Sequence, residues 1–400
     1  MEVKAVKKKV YLITEYYHPY QNTTGYLLGK LYDTLNVQSD IDLVLIAKED
    51  MNCPQHANAH FIKAKKPNKA SLFKRFLYEL IIAFSFLMKT LKVVKKDSIV
   101  FTGTTPILLL FVLFIIKKFL NFKWILLVHD VFPENLAAAK ILKKDHFLFK
   151  ILKSLFDRIY ASADEVIVIG KDMKELVHQK THQSNNITVV QNWIDSSDIG
   201  TEPKTNNRIL QELNWLDSET TIFQFFGNIG RVQGVENILH AIQKMKYAHL
   251  AKFIFIGDGA YVARLKEQIQ SLGSQNILYY GSLDQKEKTT GLNACDVALI
   301  TLADGMLGLG VPSKSYFSMA ADKPLLAIMD SESEVADMIN THHIGWVVPP
   351  NNEEALAKQL DEIVLAKHCY AFNSSREVLN EFYSEKVAMS KILNIIRKFT

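Results

Sequence analysis

Residues 221–245 read TIFQFFGNIGRVQGVENILHAIQKM. The apolar and aromatic run ending at Phe226 has strand character. Gly227, Gly230 and Gly234 then free the backbone to turn and to approach a ligand closely. Val235, Ile238, Leu239 and Ile242 recur at helical spacing on one face. Strand, glycine loop, helix is the unit from which doubly wound parallel sheets are built.

The same order recurs along the chain. Ahead of the stretch come strand patterns at 10–14 (VYLIT), 41–47, 98–105, 123–130, 165–170 and 187–195. Asn22, Thr23, Thr24 and Gly25 read as a turn, followed by a helix carrying Leu27, Leu28, Leu31 and Leu35. Pro106 stands at a first helical position with Thr104 or Thr105 as its cap. Behind the stretch come strands in KFIFIGDGA, NILYYG, DVALIT, PLLAIM and IGWVVPP. The polar stretch 196–208 divides the two series. The expected fold is α/β: two doubly wound, Rossmann-like domains facing a central cleft, over 1–200 and 209–375. A helical tail over 376–400 is expected to pack back toward the first domain. Ligands of such sheets bind at the carboxyl ends of the strands, which puts TTG, VHD, GNIGRVQG, GDG and GLGVPSK on one side.

Bulk numbers agree with two folded domains. The chain has 400 residues, 48% hydrophobic and 22% charged, which excludes a disordered class. Cys53, Cys295 and Cys369 are far apart, without metal-ligand spacing, and suggest a reducing cytosol. No signal peptide is visible, and the longest apolar run, 107–116, is too short for a bilayer span. The net charge of +5 is unevenly spread: residues 1–195 hold 28 Lys and Arg against 18 Asp and Glu. Residues 63–96 hold ten basic residues and one acid, Glu79, beside apolar positions. That pattern suits a helix on an anionic membrane surface, or else a core helix with solvated lysines. Recognition helices and aromatic–basic interleaving are lacking, so nucleic acid is not an expected partner.

Three glycine loops carry the chemistry. In the first, Arg231 before a helix start suits a diphosphate, with Asn228 beside it; a solvated arginine on a turn is the alternative. In the second, Gly257 and Gly259 flank Asp258, which either caps the helix from Tyr261 or meets a ligand. In the third, Gly308 and Gly310 lead to Pro312, Ser313 and Lys314, a hydroxyl and an ammonium at a helix start. GDGAYVARL lacks the last glycine of a dinucleotide fingerprint, so a dehydrogenase is not expected.

The chain resembles glycosyltransferase family 4, of the GT-B fold. The resemblance rests on YHPYQNTTG, HDVFPENL, VVQNWID, FFGNIGRVQGVENILHA, FIFIGDG, GVPSKSYFSMAADKPLLA, SESEVADMI and GWVVPPNNEEAL, in that order. It implies retaining transfer from a nucleotide-sugar, without metal or cofactor, to a lipid-linked or glycan acceptor of surface polysaccharide synthesis at the inner face of the membrane. UDP and an N-acetylated hexosamine are the favoured donor parts. In this alignment Arg231 matches the arginine that holds the donor diphosphate. Gln233 replaces the usual lysine, so Lys314 is expected to supply the second cation. His129 matches the first-domain histidine that approaches the donor sugar, or else pairs with Asp130. Thr24 and Gly25 match the small-residue loop near the diphosphate. Two family glutamates with seven residues between them fall on Leu309 and Phe317, so Asp304 and Glu334 are the acidic candidates to replace them. An inverting transferase, a nucleotide-sugar 2-epimerase and an inactive glycan- or nucleotide-binding homologue are the competing readings.

Overall fold

The computed structural model describes residues 7–18, 22–50, 56, 58–64, 72–183, 185–217, 219–366 and 369–399, with the side chains of 72, 73, 75, 76 and 231 outside that set. Two units separate by their contacts. One comprises Met1–Glu134, Lys144–Gln191 and Ala388–Thr400; the other comprises Asn135–Lys143 and Asn192–Val387.

In the first unit the elements run β1 (Lys8–Thr14), α1 (Thr23–Asn36), β2 (Ile41–Lys48), β3 (Ala59–Ile62), α2 (Leu72–Val93), β4 (Ile99–Gly103), α3 (Ile107–Leu120) and β5 (Lys123–Val128). They continue with α4 (Glu134–Ala138), α5 (Phe147–Ser162), β6 (Glu165–Val168), α6 (Lys171–Thr181) and β7 (Ile187–Val189). The seven strands lie in the order β3-β2-β1-β4-β5-β6-β7, every neighbour parallel. Strand interiors such as Leu12, Ile125 and Leu126 are fully buried, because helices cover both faces of a parallel sheet.

The second unit holds α7 (Arg208–Glu212), β8 (Thr221–Phe226), α8 (Val235–Lys244), β9 (Ala251–Ile256), α9 (Val262–Leu272), β10 (Ile277–Gly281), α10 (Lys288–Asn293) and β11 (Val297–Thr301). After these come α11 (Lys314–Ala320), β12 (Leu325–Ile328), α12 (Glu334–His342), β13 (Gly345–Val348), α13 (Glu353–Leu365), α14 (Ser375–Phe382) and α15 (Glu385–Arg397), the last passing into the first unit. The six-stranded parallel sheet has the order β10-β9-β8-β11-β12-β13. Val235, Ile238, Leu239 and Ile242 do form the buried face of α8, packed with the stacked Phe223 and Phe253 rings 5.1 Å apart.

Several local expectations are corrected. The turn expected at 22–25 is already helix: Asn22 caps α1 by accepting from the Gly25 N–H at 2.8 Å, so Thr23–Gly25 form the first turn. Pro106 is the cap residue of α3 and not its first helical residue, since its ψ of 145° is extended, and no side chain caps that helix. The strand expected over 187–195 ends at Val189, where its pairing with β6 stops; Asn192 and Trp193 continue as buried coil. The polar stretch 196–208 belongs to the second unit. Asn207 is fully buried there, and its amide donates to the Thr290 carbonyl at 2.8 Å. At the far end, Arg397 of α15 donates to Asp40 at 2.9 Å within the first unit.

Candidate active site

In the second sheet the strand order reverses between β8 and β11, and such a reversal opens a crevice at the carboxyl ends of the two strands. The loop 227–234 leaves β8 there and the loop 302–313 leaves β11 there, so two of the three glycine loops flank the crevice. They are tied together. The Thr301 hydroxyl donates to the Gln233 carbonyl, and the Ala303 N–H donates to the Val232 carbonyl at 2.9 Å.

The second loop, carrying Gly257 and Gly259, meshes with the first. The Gly227 N–H donates to the Ile256 carbonyl and the Ile229 N–H to the Asp258 carbonyl, both at 2.9 Å. Gly257 has a φ of 143°, and a Cβ built on it would stand 1.8 Å from the Gly227 carbonyl oxygen. Only glycine permits that approach, so the two loops define one shared surface. Exposed Asn228 projects between Gly230 and Gly259. Asp258 does not cap α9; it accepts from its neighbour Gly259 N–H at 2.8 Å, while Tyr261 occupies the cap position without a side-chain cap bond.

Arg231 opens a single 3-10 turn, Arg231–Gln233, and its side chain lies outside the described set. Gln233 closes that turn, and its Oε1 accepts from Lys314 Nζ at 2.5 Å. Lys314 is the first residue of α11, and its ammonium also rests on the Phe225 ring, 3.8 Å from the centroid. Enclosure away from water lowers its pKa to about 7, although the residue as a whole is half-buried. Ser313 is the cap residue of α11 but makes no side-chain cap bond, and α11 has only seven residues. Its dipole is correspondingly small, and the ammonium of Lys314 carries the positive charge there. Gly308 takes a left-handed φ of 72° inside the loop, and Gly310 follows in a half-buried position.

Leu309 and Phe317 stand where the resemblance has glutamates, and both are core residues with 5% and 7% of their surface exposed. Phe317 carries a second ammonium: Lys288 Nζ lies 3.2 Å from its ring centroid. Burial brings the Lys288 pKa down to about 8, with Asp198 pulling the other way. Nothing in the sequence marks Lys288, which lies in an ordinary polar run; only folding sets it on α11. Of the two acidic candidates, Asp304 is exposed beyond β11, and its charge adds to the burial that raises the pKa of Asp330 beyond β12. Glu334 is buried in the first turn of α12, where its charge reinforces the rise that burial imposes on the Tyr383 pKa.

In the first sheet the order reverses between β1 and β4. Gly103 ends β4 at that point, and a Cβ there would lie 3.9 Å from both His129 Nδ1 and Leu28 Cδ1. His129 follows β5. Its Nε2 is buried and has no hydrogen-bond partner among the described residues, and desolvation lowers its pKa to about 4. At neutral pH it is an uncharged imidazole. Thr24 and Gly25 lie in the first turn of α1, where Gly25 passes so close to His18 that a Cβ would meet its carbonyl oxygen at 2.3 Å. Glu134, within HDVFPENL, is a structural residue: Lys180 donates to both its carboxylate oxygens, at 2.7 and 2.8 Å, in a buried pair.

A sequence model of the family described as glycosyl transferases group 1 matches residues 208–380. A probable glycosyltransferase of Pseudomonas aeruginosa, WbjE, is 39% identical over 393 residues, covering 97% of this chain and 98% of its own. The chain belongs to the group 1 glycosyltransferases. A second relative of this glycosyltransferase is WcaI of Escherichia coli strain K12, assigned to colanic acid biosynthesis. It is 23% identical over 238 residues, 59% of this chain and 58% of its own. Among solved structures, Anabaena Alr3699/HepE in complex with UDP and glucose superposes with a TM-score of 0.71 at 14% identity, covering 98% of this chain and 99% of its own. Together these bear out the two-domain, GT-B reading of the sequence and the assignment of the chain as a glycosyltransferase.

Proposed function

We propose that this glycosyltransferase moves a sugar from a nucleotide-sugar to a lipid-linked or oligosaccharide acceptor, with retention of anomeric configuration. The observation that carries the reading is the contact between Lys314 and Gln233 beside the Arg231 turn. An ammonium held there would supply the second cation that a departing diphosphate needs, next to glycine loops that can approach a phosphate closely. UDP is the favoured nucleotide, in keeping with the UDP bound by Alr3699/HepE. An N-acetylated hexosamine is the favoured sugar, and the resemblance to surface-polysaccharide transferases is its support. His129, neutral and with Nε2 unsatisfied, is suited to accept from or donate to a sugar hydroxyl. The enzyme works at the inner face of the cytoplasmic membrane; no described helix is long and apolar enough to cross one.

Thermal stabilisation by UDP-, GDP- and dTDP-sugars tests the donor site, followed by transfer to a lipid-diphosphate sugar and determination of the product anomer. Arg231→Ala is expected to abolish stabilisation by the preferred donor. Normal stabilisation and turnover in that variant would remove the site assignment, and an inverted product would remove the retaining mechanism.

A further inference from the structure

Helix α2 is apolar on two opposite sides. Tyr78, Ile82, Ala83 and Phe86 face the sheet and are buried. Leu77, Leu80, Ile81, Phe84, Met88 and Leu91 form a second stripe, each between 44% and 62% exposed. At 100° per residue that second stripe points directly away from the first. The helices beside it behave alike. α2 packs on α3 and α3 on α5. On α3, Ile115 and Phe119 are 56% and 70% exposed; on α5, Phe147, Leu148, Ile151 and Leu155 are exposed, Phe147 by 70%. The crossovers β3 to β4, β4 to β5 and β5 to β6 run in one direction along the sheet, so right-handed connections set all three helices on the same face. The outward stripes therefore join into one apolar plate of about 20 Å by 20 Å, given the rise of a helix and the spacing between packed helices. Soluble surfaces rarely leave so large an apolar area open.

Charge decides what covers it. The three helices carry nine Lys and Arg and two acids, Glu79 and Asp157. Asp157 is half-buried and paired with Lys153 at 2.6 Å, and Glu79 is half-buried. Lys74, Lys92, Lys118 and Lys150 are exposed along the plate. A second copy of the chain would set these cations against their own kind, whereas anionic headgroups would neutralise them while acyl chains take up the apolar stripes.

We propose that the outward faces of α2, α3 and α5 form a docking plate for an anionic phospholipid bilayer, entered by Phe84, Phe119 and Phe147. The plate extends membrane contact well beyond the basic segment around α2, and makes apolar insertion rather than charge alone the source of adhesion. It rests on the reading that the acceptor is carried by a lipid, since it would hold the enzyme where such an acceptor lies.

Flotation of the full chain with vesicles of phosphatidylglycerol and phosphatidylethanolamine tests it, without donor or acceptor present. The wild type is expected to float at low salt and to remain bound in part at about 0.5 M salt, where surface charge is screened. Phe84→Ser/Phe119→Ser/Phe147→Ser is expected to lower vesicle affinity at least about tenfold, with stabilisation by nucleotide-sugar unchanged as the check on folding. Lys92→Glu/Lys118→Glu/Lys150→Glu is expected to abolish binding at low salt. A wild type that stays in the aqueous fraction, or a triple serine variant that floats equally well, overturns the proposal. So does a wild-type dimer, by sedimentation, that the serine variant loses with no lipid bound by either. A protein that floats but transfers no sugar to a lipid-diphosphate upholds the plate and removes only the acceptor reading.

Discussion

The ammonium of Lys314 lies 2.5 Å from the side-chain oxygen of Gln233, although 80 residues separate them in the chain. By resemblance the cation belongs at 233. Here the first residue of α11 reaches Gln233 from across the crevice, and the glutamine accepts from its ammonium. Lys314→Gln is accordingly expected to lower kcat by about 10²–10³, the usual cost of losing one charge-stabilising donor in a closed site. Gln233→Lys alone adds a like charge beside a half-buried ammonium and lowers activity too. The double variant Gln233→Lys/Lys314→Gln returns the cation to the other side of the pair and is expected to recover at least tenfold over Lys314→Gln. Steady-state kinetics of all three decide it; no recovery in the double variant would show that Lys314 acts other than as a cation.

The lowered Lys314 pKa makes stability, and on the proposed role of Lys314 also donor affinity, depend on pH. An unfolded lysine titrates near 10.5 and folded Lys314 at about 7, so between those values the unfolded chain binds more protons. Stability therefore rises with pH across that window, and below about 7 the cost of the buried charge is constant. On the proposal that this ammonium holds the donor diphosphate, binding above pH 7 takes up a proton. Donor affinity is expected to fall by up to about tenfold per pH unit there, and Lys314→Gln to flatten that profile. Calorimetry in buffers of different ionisation enthalpy measures the proton directly.

The meshed loops predict unequal effects of equal substitutions. Gly227 and Gly257 both have positive φ, at 128° and 143°. Space around Gly227 is open, whereas a Cβ at Gly257 would run into the Gly227 carbonyl. Gly227→Ala is expected to cost about 1–2 kcal/mol of backbone strain. Gly257→Ala is expected to cost about 4 kcal/mol or more and to eliminate nucleotide binding. Denaturant unfolding of both variants makes the comparison.

Phe317 and Leu309 invite the two family glutamates back, with different results. Phe317→Glu places a carboxylate under Lys288, which already sits over that position and can pair with it. Leu309 is 5% exposed, so a carboxylate there would be desolvated. Leu309→Glu is expected to destabilise by several kcal/mol more than Phe317→Glu, read as the difference in unfolding midpoints.

Lys180 is 4% exposed and serves Glu134 and Asp157 at 2.7 Å each. Lys180→Met leaves buried Glu134 and half-buried Asp157 with only Lys153, 3.9 and 2.6 Å away, and is expected to cost about 3 kcal/mol. The folded fraction should keep its kcat, which separates a structural role for Glu134 from a chemical one.

Both sheets were legible because local chemistry writes them. Apolar runs such as VYLIT and KFIFI, each followed by a glycine or small-residue loop and an amphipathic helix, leave few options besides a parallel α/β layer. Boundaries were less legible where one contact decides them: Asn22 accepting from Gly25 turns an expected turn into helix, and the end of pairing with β6 shortens β7. The glycine loops were visible too, since each strand end announces its own. Their interlocking was not, because it depends on the carbonyl of Gly227 reaching Gly257 from a neighbouring strand.

Local sequence thus determined the alternation of strands and helices and the glycine loops at the strand ends, since periodicity and glycine placement act over a few residues. Tertiary structure alone decided that Lys314 meets Gln233, that Lys288 covers Phe317, that Glu334 is buried, and that α2 keeps an apolar face turned to the outside. Each depends on which strand lies beside which, and strand order is set by packing across the whole sheet.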